Sequence, residues 1–416
     1  MAQQLYFSRD TKMYLEFNGT VWELPVLDGF SFSQATNSSE ITLNEMESAG
    51  GVSRRGRRMF NDSLAPAEWS FSTYVRPFTS AGSGAEAADT AAEVHAVEEV
   101  LWAAMAGADT YDSNAFKTGT TNVLTPAGSN MTVSFAGSNK STLGTFNVYF
   151  VLGNDNRKVY KLSDAVVGEA SVDFDIDGIA TINWSGSSSE IIDMTGNTFT
   201  QTAAPLNGDG LLVGDVWLDS DANHKLYVCT DNTASSETFT SRVSEAISDT
   251  GNFIRNRLTV LTVVPTSQDP DSDGANELQS SYDLTLTGGN VTISNNITFI
   301  TPEELGLVNV PIGHVTGTRS VSGSFTCYLS KDTESSDNSA DLWEDLKGIT
   351  NVVTNSFALT FKIGGATGTG LDMAMPTCHI DVPTHSIEDV ISLETNFNAL
   401  PSSIDGTNEL SLTYRP

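Results

Sequence analysis

The sequence predicts a mainly β protein with two similar β-sandwich or barrel domains in tandem, each with one flanking α-helix, plus a small β-hairpin insertion. Three observations lead to this fold class. Gly, Ser, Thr and Asn are abundant, which favours short strands joined by many turns. Apolar and polar residues alternate in many short segments, as half-buried strands require. Finally, several of these segments recur in the same order in the two halves of the chain.

The size and charge of the chain limit its function. It has 416 residues, enough for two or three domains with their own cores. The formal net charge is -31, from 52 acidic and 21 basic residues. An average surface this acidic repels phosphate, which excludes a conventional nucleic-acid clamp. No cofactor-binding motif is present, so we expect no cofactor.

The expected compartment follows from the cysteines and from the apolar segments. Three scattered cysteines, Cys229, Cys327 and Cys378, form no CxxC pair and no disulfide framework, which indicates a reducing compartment. No signal-peptide core stands at the start, and no stretch approaches 18 apolar residues. We therefore expect a soluble protein that is cytosolic when made and has no membrane partner.

The internal repeat is the main organising feature. Five segments of the first half match five of the second half in the same order. In each half, the third of these segments is a predicted helix that contains Leu-Trp and ends in glycine. The matched pairs are 28–33 with 289–294, 69–75 with 323–329, 99–107 with 340–348, 146–153 with 357–364, and 183–191 with 396–404. The sequence thus predicts domain 1 at residues 1–192 and domain 2 at residues 253–416.

Between the copies, residues 193–252 are predicted to be linkers and a small β module. Residues 214–221 and 224–230 read as two strands joined by a polar turn. Because an isolated hairpin is marginal in water, it should either gain residues 211–213 as a third strand or pack on a neighbour. Thr/Ala/Ser-rich runs at 196–210 and 231–246 suit linkers. Trp217 and Tyr227 could form an exposed aromatic platform for carbohydrate.

Residues 85–107 are predicted to form the longest helix. A Gly-Ser-Gly run opens this segment, and apolar residues such as Val97, Leu101 and Met105 recur at helical spacing.

Four arginines, Arg54, Arg55, Arg57 and Arg58, stand out in so acidic a chain. They lie in a long loop between paired strands. Three interpretations are open: nucleic-acid binding, a solvated loop, or docking onto the acidic surface of a neighbouring copy, where guanidinium–carboxylate pairing is strong. The acidic composition and the absence of interleaved aromatic residues favour the inter-subunit contact.

Two DxDxDG stretches resemble the opening of a calcium loop. At residues 173–178, Phe174 and Ile176 alternate with the acids, as in an amphipathic strand. Asp269, Asp271 and Asp273 form the more polar stretch, but Ser280 occupies the position where a calcium loop places its bidentate Glu. We therefore interpret this second stretch as an acidic linker turn, with a metal site as the alternative.

Catalytic combinations are sparse. His95, His224, His314, His379 and His385 belong to no HExxH motif, and the sequence has neither GxSxG nor a phosphate-binding GxxxxGK loop. Cys378 and His379 are neighbours on a predicted strand, so their side chains should point to opposite faces. The sequence therefore predicts no catalytic site and no enzyme.

Several segments resemble the tail tube proteins of long-tailed bacteriophages. The resemblance is carried by Leu-Pro-Val-Leu-Asp-Gly-Phe-Ser-Phe-Ser at 24–33, the loop at 53–61, Pro-Ala-Glu-Trp-Ser-Phe-Ser-Thr-Tyr-Val-Arg-Pro-Phe at 66–78, the helix before Gly107, and residues 252–261. Members of this family are β-sandwiches with a flanking helix. Six domains form a ring around a lumen, and the stacked rings conduct DNA.

The resemblance implies a virion tail protein whose main partner is itself. Three duplicated chains would supply the six ring positions, and the arginine loop corresponds to the family's loop that contacts the adjacent ring. The tape measure protein and DNA would pass through an acidic lumen without specific binding, and sheath or terminator proteins could bind the tube. The alternatives are another virion part, such as a terminator, hub or decoration protein, or a carbohydrate-binding adhesin.

Overall fold

The computed structural model describes residues 5–42, 57–80, 92–112, 115–135, 143–154, 156–221, 225–233, 236–240, 242–243, 253–270, 272, 274–302, 309–331, 337–349 and 356–416. The predicted mainly β fold is confirmed: short strands dominate these residues.

The elements of the first half are β1 (Thr11–Phe17), β2 (Thr20–Leu24), β3 (Ser31–Thr42), β4 (Arg57–Tyr74), β5 (Pro77–Thr79), β6 (Val94–Ala96), α1 (Glu99–Met105), β7 (Thr110–Asp112), β8 (Ala115–Thr118), β9 (Thr121–Asn122), β10 (Leu124–Pro126), β11 (Met131–Ser134), β12 (Phe146–Leu152), β13 (Lys158–Asp175), β14 (Thr181–Ser188) and β15 (Glu190–Asp193). The insertion contains β16 (Thr198–Gln201), β17 (Val216–Asp219), β18 (Lys225–Thr233), β19 (Ser236–Thr240) and β20 (Arg242–Val243).

The elements of the second half are β21 (Val260–Pro265), β22 (Tyr282–Asp283), β23 (Leu286–Ser294), β24 (Ile297–Ile300), β25 (Gly313–Thr316), β26 (Ser320–Tyr328), α2 (Ser339–Gly348), β27 (Phe357–Ile363), β28 (Gly370–Ile380), β29 (Thr384–Ser386), β30 (Ser392–Ala399) and β31 (Ser411–Arg415). Short 3-10 helices lie at Ser8–Asp10, Thr195–Asn197, Asn207–Asp209 and Asn256–Leu258.

One antiparallel sheet, which we call the long sheet, runs through both halves. Its strands lie in the order β3, β4, β14, β13, β23, β26, β30 and then β29 with the end of β28. Strands β13 and β23 join the halves with a register that runs from Glu169 opposite Ser294 to Asp175 opposite Gly288. The two copies are therefore hydrogen-bonded edge to edge.

A second layer covers the apolar face of the long sheet. In the first half it contains β2, β1, β12 and the start of β13, and in the second half β21, β27, the start of β28, and β31. Strand β31 pairs with β28 and also with β11 of the first half, which ties the halves together a second time. Trp69, Trp184 and Phe325 are among the large side chains fully buried between the layers.

The two halves share their local geometry. Strands β3, β4 and β14 pair in sequence, and β23, β26 and β30 pair in the same way. Each half also has its helix after the second of these strands.

The length predicted for the first helix is wrong, because the helix in the structure is much shorter than residues 85–107. Helix α1 contains only Glu99–Met105, and every one of its residues is buried. Residues Val94–Ala96, expected to be helical, instead form β6 and pair with β5. The β-branched Val94 and the strand β5 opposite it outweigh the helical spacing of the apolar residues. Helix α2 is only partly buried, through Ser339, Leu342 and Leu346.

The insertion is larger than the predicted hairpin. Strands β17 and β18 pair as expected, but the sheet also gains β16 and β19, which lie in the runs predicted to be linkers. Residues 211–213 form no strand. The predicted packing on a neighbour is present, because Val216, Leu218 and Leu226 bury against Tyr14 and Tyr149 of the first half. An apolar contact of this kind stabilises a sheet that would be marginal alone.

Among the described residues, no helix has both the length and the hydropathy needed to span a bilayer.

Candidate functional surface

The solvent side of the long sheet is the most extended regular surface that the two halves share. Along each strand the residues alternate between the core and this side, as the two-residue period of a strand requires. We call this surface the polar face. Its side chains include Ser31, Ser33, Glu68, Ser70, Ser72, Tyr74, Glu169, Ser171, Asp173, Asp175, Thr181, Asn183, Ser185, Ser187, Asn290, Thr292, Ser294, Ser320, Ser322, Ser324, Thr326, Tyr328, Ser392, Glu394, Asn396 and Asn398.

Strand register lines up small polar groups in rows across the polar face. One row passes through Ser72, Asn183, Ser171, Thr292, Ser322 and Asn398, and therefore crosses from the first half into the second. Ser72 Oγ donates to Asn183 Oδ1 at 2.7 Å, and Thr292 Oγ1 donates to Ser171 Oγ at 3.2 Å across the junction. These short side chains bond to one another, so the surface stays flat.

The charge of the polar face has one sign. It carries the carboxylates of Glu68, Glu169, Asp173, Asp175 and Glu394, and the residues named above include no Lys or Arg. Asp173 accepts hydrogen bonds from Asn183 Nδ2 at 2.8 Å and from Ser171 Oγ at 3.2 Å. A surface that combines hydroxyl, amide and carboxylate groups without cations repels phosphate and offers it no strong ligand.

Two arginines of the run, Arg57 and Arg58, lie where the antiparallel pair of β3 and β4 extends beyond the long sheet. Arg57 and Arg58 pair in register with Thr42 and Ile41, and both arginines are exposed. Arg57 Nη1 lies 3.5 Å from Glu40 Oε1, a surface ion pair. Arg54 and Arg55 lie outside the described residues. We call residues 36–42 and 57–64 the arm.

The arm also exposes apolar side chains. Ile41, Met59 and Phe60 are 51%, 69% and 47% exposed. Close to its base, the backbone N–H of Leu64 donates to the carbonyl of Asn309 at 2.8 Å, and Ser63 forms a parallel β-bridge with Asn309, so a residue of the second half lies beside the arm.

The aromatic pair of the insertion is not an open platform. Trp217 was expected to be exposed, and its 8% exposure corrects that expectation. Its ring stacks on Tyr227 at 4.6 Å, and its indole N–H donates to the carbonyl of Gln201 at 2.9 Å. Tyr227 is half-buried. Strand β16, which supplies Gln201, could not be anticipated from the hairpin pattern.

The candidate metal residues remain a prediction. Asp271 and Asp273 lie outside the described residues, and Asp269 Oδ2 accepts the backbone N–H of Gly274 at 2.9 Å, as in a polar turn. In the other DxDxDG stretch, the strand interpretation holds as far as Asp175: Phe174 is buried and Asp175 ends β13. Ile176 lies after the strand and is 42% exposed, so the expected alternation does not continue to it. Among the described residues, no group of three His, Cys, Asp or Glu side chains could hold a metal ion.

No described cysteine or histidine is placed for nucleophilic catalysis. Cys378 is buried, which raises the pKa of its thiol to about 12, and burial raises the pKa of Cys327 to about 11. His379 is exposed and lies 3.6 Å from Asp381. The two side chains of the Cys378–His379 pair therefore do lie on opposite faces of the strand.

A buried polar cluster joins the two halves, and no pattern in the sequence indicated it. Tyr414 of β31 donates to Glu98 Oε1 at 2.6 Å and accepts from the indole N–H of Trp102 at 2.6 Å. Burial raises the pKa of Glu98 to about 7 against the opposing effects of Tyr414 and Arg76. Beside it, His95 Nδ1 lies 2.8 Å from Glu99 Oε2.

Arg319 also lies at the junction of the halves. Arg319 is 5% exposed, and its guanidinium lies 5.0 Å from the ring centre of Phe135. Asn295, which accepts from Arg319 Nε at 3.4 Å, donates to the carbonyl groups of Met105 and Val167. The cation is therefore part of the packing between the copies.

Comparison with known proteins agrees with the mainly β fold. No family model matches the sequence. The chain is 29% identical over 390 residues to Tail tube protein pb6 of Escherichia phage T5, which covers 93% of this chain and 69% of that protein. The chain is thus similar, over nearly all of its length, to a phage tail tube protein. The predicted resemblance to that family is thereby confirmed, and it extends through both halves and the insertion.

Proposed function

We propose that this tail tube relative is a structural subunit that polymerises into stacked rings, with an acidic lumen that conducts DNA during ejection. The proposal includes the division into tube domain 1 at residues 1–192, the linker and insertion at 193–252, and tube domain 2 at 253–416. It also includes a location in the virion tail after synthesis in the host cytoplasm. The role is structural, and the proposed assembly needs no catalytic step.

One observation carries the ring: the long sheet joins the two copies edge to edge and is open at both ends. Among the described residues, β3 pairs only with β4, and β29 pairs only with β30. The repeat relates the edge strands of the two halves. Strand β3 of the first half corresponds to β23 of the second half. The end of β13 in the first half corresponds to the end of β28 together with β29 in the second half. Since β13 and β23 pair within one chain, β29 and β3 of successive chains can pair in the same way.

Ring closure follows from this head-to-tail geometry. A heterologous contact that repeats around an axis closes into a ring when its rotation permits. Three chains with two copies each give six equivalent positions, a homotrimer with pseudo-sixfold symmetry. Closure also pairs the unprotected strand edges, which would otherwise favour aggregation.

The charge of the polar face supports placing it toward the lumen. Glu68, Glu169, Asp173, Asp175 and Glu394 would then repeat around the channel and repel DNA phosphates. Small hydroxyl and amide groups give passing DNA no cationic site at which to bind. The same lumen would hold the tape measure protein before ejection.

The arm supports stacking of rings. Arg57 and Arg58 lie beyond the long sheet, at the edge of the first copy. Arg54 and Arg55 precede them in the sequence. In an assembly of chains that each carry 52 acidic residues, an acidic surface on the next ring is the partner that fits best. Terminator or sheath proteins would contact the ends or the outside of the tube.

Electron cryo-microscopy and native mass spectrometry of the purified protein test the proposal. The expected result is a closed ring of three chains with the long sheets facing the central channel. Rings of six chains would overturn the pseudo-hexamer, and a polar face on the outside of the ring would overturn the lumen assignment. Persistent monomers under assembly conditions would overturn the tube itself.

A further inference from the structure

The segment before β1 exposes three consecutive large apolar side chains. Leu5, Tyr6 and Phe7 are 71%, 40% and 51% exposed. A cluster of this kind on a protein surface commonly marks a contact with another molecule. The repeat shows which surface the corresponding residues of the second copy contact.

The counterparts of these residues follow from strand register. Met13 of β1 lies opposite Phe150, and Leu261 of β21 lies opposite Phe361, the repeat counterpart of Phe150. A turn just before each strand has the same backbone hydrogen bond, from Asp10 to Phe7 at 3.0 Å and from Leu258 to Arg255 at 3.4 Å. Leu5, Tyr6 and Phe7 therefore correspond to Phe253, Ile254 and Arg255.

In the second copy, these counterparts cover a turn of the first copy. The backbone N–H of Ala180 donates to the carbonyl of Ile254 at 2.8 Å, and Ile179 forms a β-bridge with Arg255. The ring of Phe253 packs edge-on against Tyr74, with ring centres 5.1 Å apart. Ile254 is 2% exposed.

The second copy contains a turn that corresponds to this turn of the first copy, but its apolar side chains are exposed to solvent. The backbone hydrogen bond from Val75 to Ala180 at 3.0 Å recurs from Leu329 to Ile391 at 2.9 Å, so residues 387–391 are the counterpart of residues 176–180. In this second turn Ile387, Val390 and Ile391 are 79%, 58% and 38% exposed.

A groove is present at this uncovered turn. It is lined by Thr287, Tyr328 and residues 388–390 and 392. Tyr328 is the repeat counterpart of Tyr74, against which Phe253 packs, and Tyr328 is 40% exposed. Each side of the internal contact thus has a second, uncovered version elsewhere on the same chain.

We propose that residues 5–10 of one chain cover residues 387–391 of the neighbouring chain, so that the contact between chains reproduces the contact within a chain. The occupant of the groove is a second copy of this protein. This inference rests on the head-to-tail ring proposed above and names the residues that close it. In the closed contact, the backbone N–H of Ile391 donates to the carbonyl of Tyr6, as Ala180 does to Ile254.

Charge complementarity supports this pairing. Arg257 and Asp175 line one groove at the internal junction. In the open contact Arg9, whose side chain is 77% exposed, takes the position of Arg257, whereas Ser386 takes that of Asp175. The carboxylates of the open contact lie on the turn itself, at Glu388 and Asp389, which line its groove. An arginine therefore faces carboxylates across the proposed contact as it does at the internal junction, which favours this orientation over its reverse.

Paired cysteines test the contact directly in the full chain. The double variant Leu5→Cys/Tyr328→Cys places one cysteine on each side of the expected contact, and the native Cys229, Cys327 and Cys378 are buried. Mild oxidation should give covalent dimers and trimers on a denaturing gel. Leu5→Cys/Leu206→Cys is the matched control, because Leu206 is 60% exposed but lies on the insertion. It should stay monomeric on that gel.

A second pair of variants measures the strength of the contact. Leu5→Ser/Ile387→Ser removes two exposed side chains, so the monomer should fold normally while the protein concentration needed for ring formation rises at least about tenfold. Leu212→Ser/Val213→Ser changes two apolar residues of the insertion that are 60% and 61% exposed, and it should leave that concentration unchanged.

The outcomes separate this inference from the ring itself. Wild-type rings without cross-linking of the first cysteine pair, and with no effect of Leu5→Ser/Ile387→Ser, would overturn the contact and leave the ring standing. A wild-type chain that forms no rings would overturn both.

Discussion

Glu98 shows how a single buried acid can link two distant parts of a chain. Its carboxyl group lies at the start of α1 and accepts the phenol of Tyr414, which is 316 residues away in sequence. Glu98 Oε2 is buried without a hydrogen-bond partner among the described residues. Burial costs an ionised carboxylate at this position more hydration free energy than its interactions with Tyr414 and Arg76 contribute. The pKa of Glu98 is therefore raised.

Glu98→Gln should change how stability depends on pH. Burial raises the pKa of Glu98 from 4.5 to about 7, so between these values the folded chain holds a proton that the unfolded chain has lost. The free energy of unfolding should therefore fall as the pH rises through this window, by up to about 3 kcal/mol. Glutamine stays neutral, so the variant should lose this decline. Chemical denaturation from pH 4.5 to 8 measures it.

The control for this measurement is Glu68→Gln, an exposed acid on the polar face. It should leave the slope of stability against pH close to that of the wild type. An equal slope in Glu98→Gln and the wild type would contradict the assignment of the buried acid.

Glycines on the core side of the long sheet show what sequence reasoning missed at this scale. Gly186 lies opposite Trp69 and Gly323 opposite Phe397, so each glycine leaves room for the ring on the paired strand. A Cβ added at Gly186 would lie 2.5 Å from the Trp69 ring. The sequence shows the aromatic residues, but the need for each glycine appears only once the register is known.

At the scale of elements, strands were easier to predict than helices. The segments at 69–75 and 323–329 largely alternate between apolar and polar residues, and all but their last residues lie in β4 and β26. The helix at 85–107 was overestimated because apolar spacing alone cannot show that Val94–Ala96 pairs with Pro77–Thr79. In the insertion, β16 and β19 lack clear alternation, and they are strands because β17 and β18 offer them edges.

The arm can be tested as an element. Replacing Arg54, Arg55, Arg57 and Arg58 with Ser should leave folding and ring formation intact, because Arg57 and Arg58 are exposed and lie beyond the long sheet. Stacking of rings should fail, because the cations proposed to meet the next ring are gone. Negative-stain microscopy should then show single rings in place of tubes.

Lys331→Ser is a suitable control for the arm, since this cation is 65% exposed and lies outside the arm. Tubes of normal length are expected from it. Normal tubes from the four-arginine variant would sink the proposed role of the arm.

At the scale of the whole molecule, the repeat and the family resemblance were readable from the sequence, but the junction was not. Five matched segments indicate two copies without showing which edges meet. The pairing of β13 with β23, the burial of Arg319 and the placement of β31 beside β11 depend on contacts between residues far apart in the chain. The polar face could be located only after this register placed its rows side by side.

The lumen assignment makes a prediction for the assembled particle. Glu169→Lys/Glu394→Lys reverses two charges on the polar face of each chain, which should let tubes bind double-stranded DNA with strong salt dependence. Wild-type tubes should not bind it. Co-sedimentation of tubes with short DNA fragments that fit the channel measures the difference.

The matching control is Asp221→Lys/Asp405→Lys, which makes the same change in charge at exposed sites away from the polar face. It should leave binding of the fragments close to the wild-type level. Equal binding by the two double variants would show that net charge, and not the lumen, decides the result.

The pairing of β13 with β23 inside one chain also sets the reaction order of ring formation. In a ring of three chains, half of the six seams are closed when each chain folds, so nucleation needs three molecules to meet and not six. Covalent linkage replaces the other encounters with a high effective concentration. The rate of nucleation should then depend on the third power of subunit concentration or less. A duplicated subunit can thus start a tube at concentrations at which separate single domains would rarely collide in sufficient number.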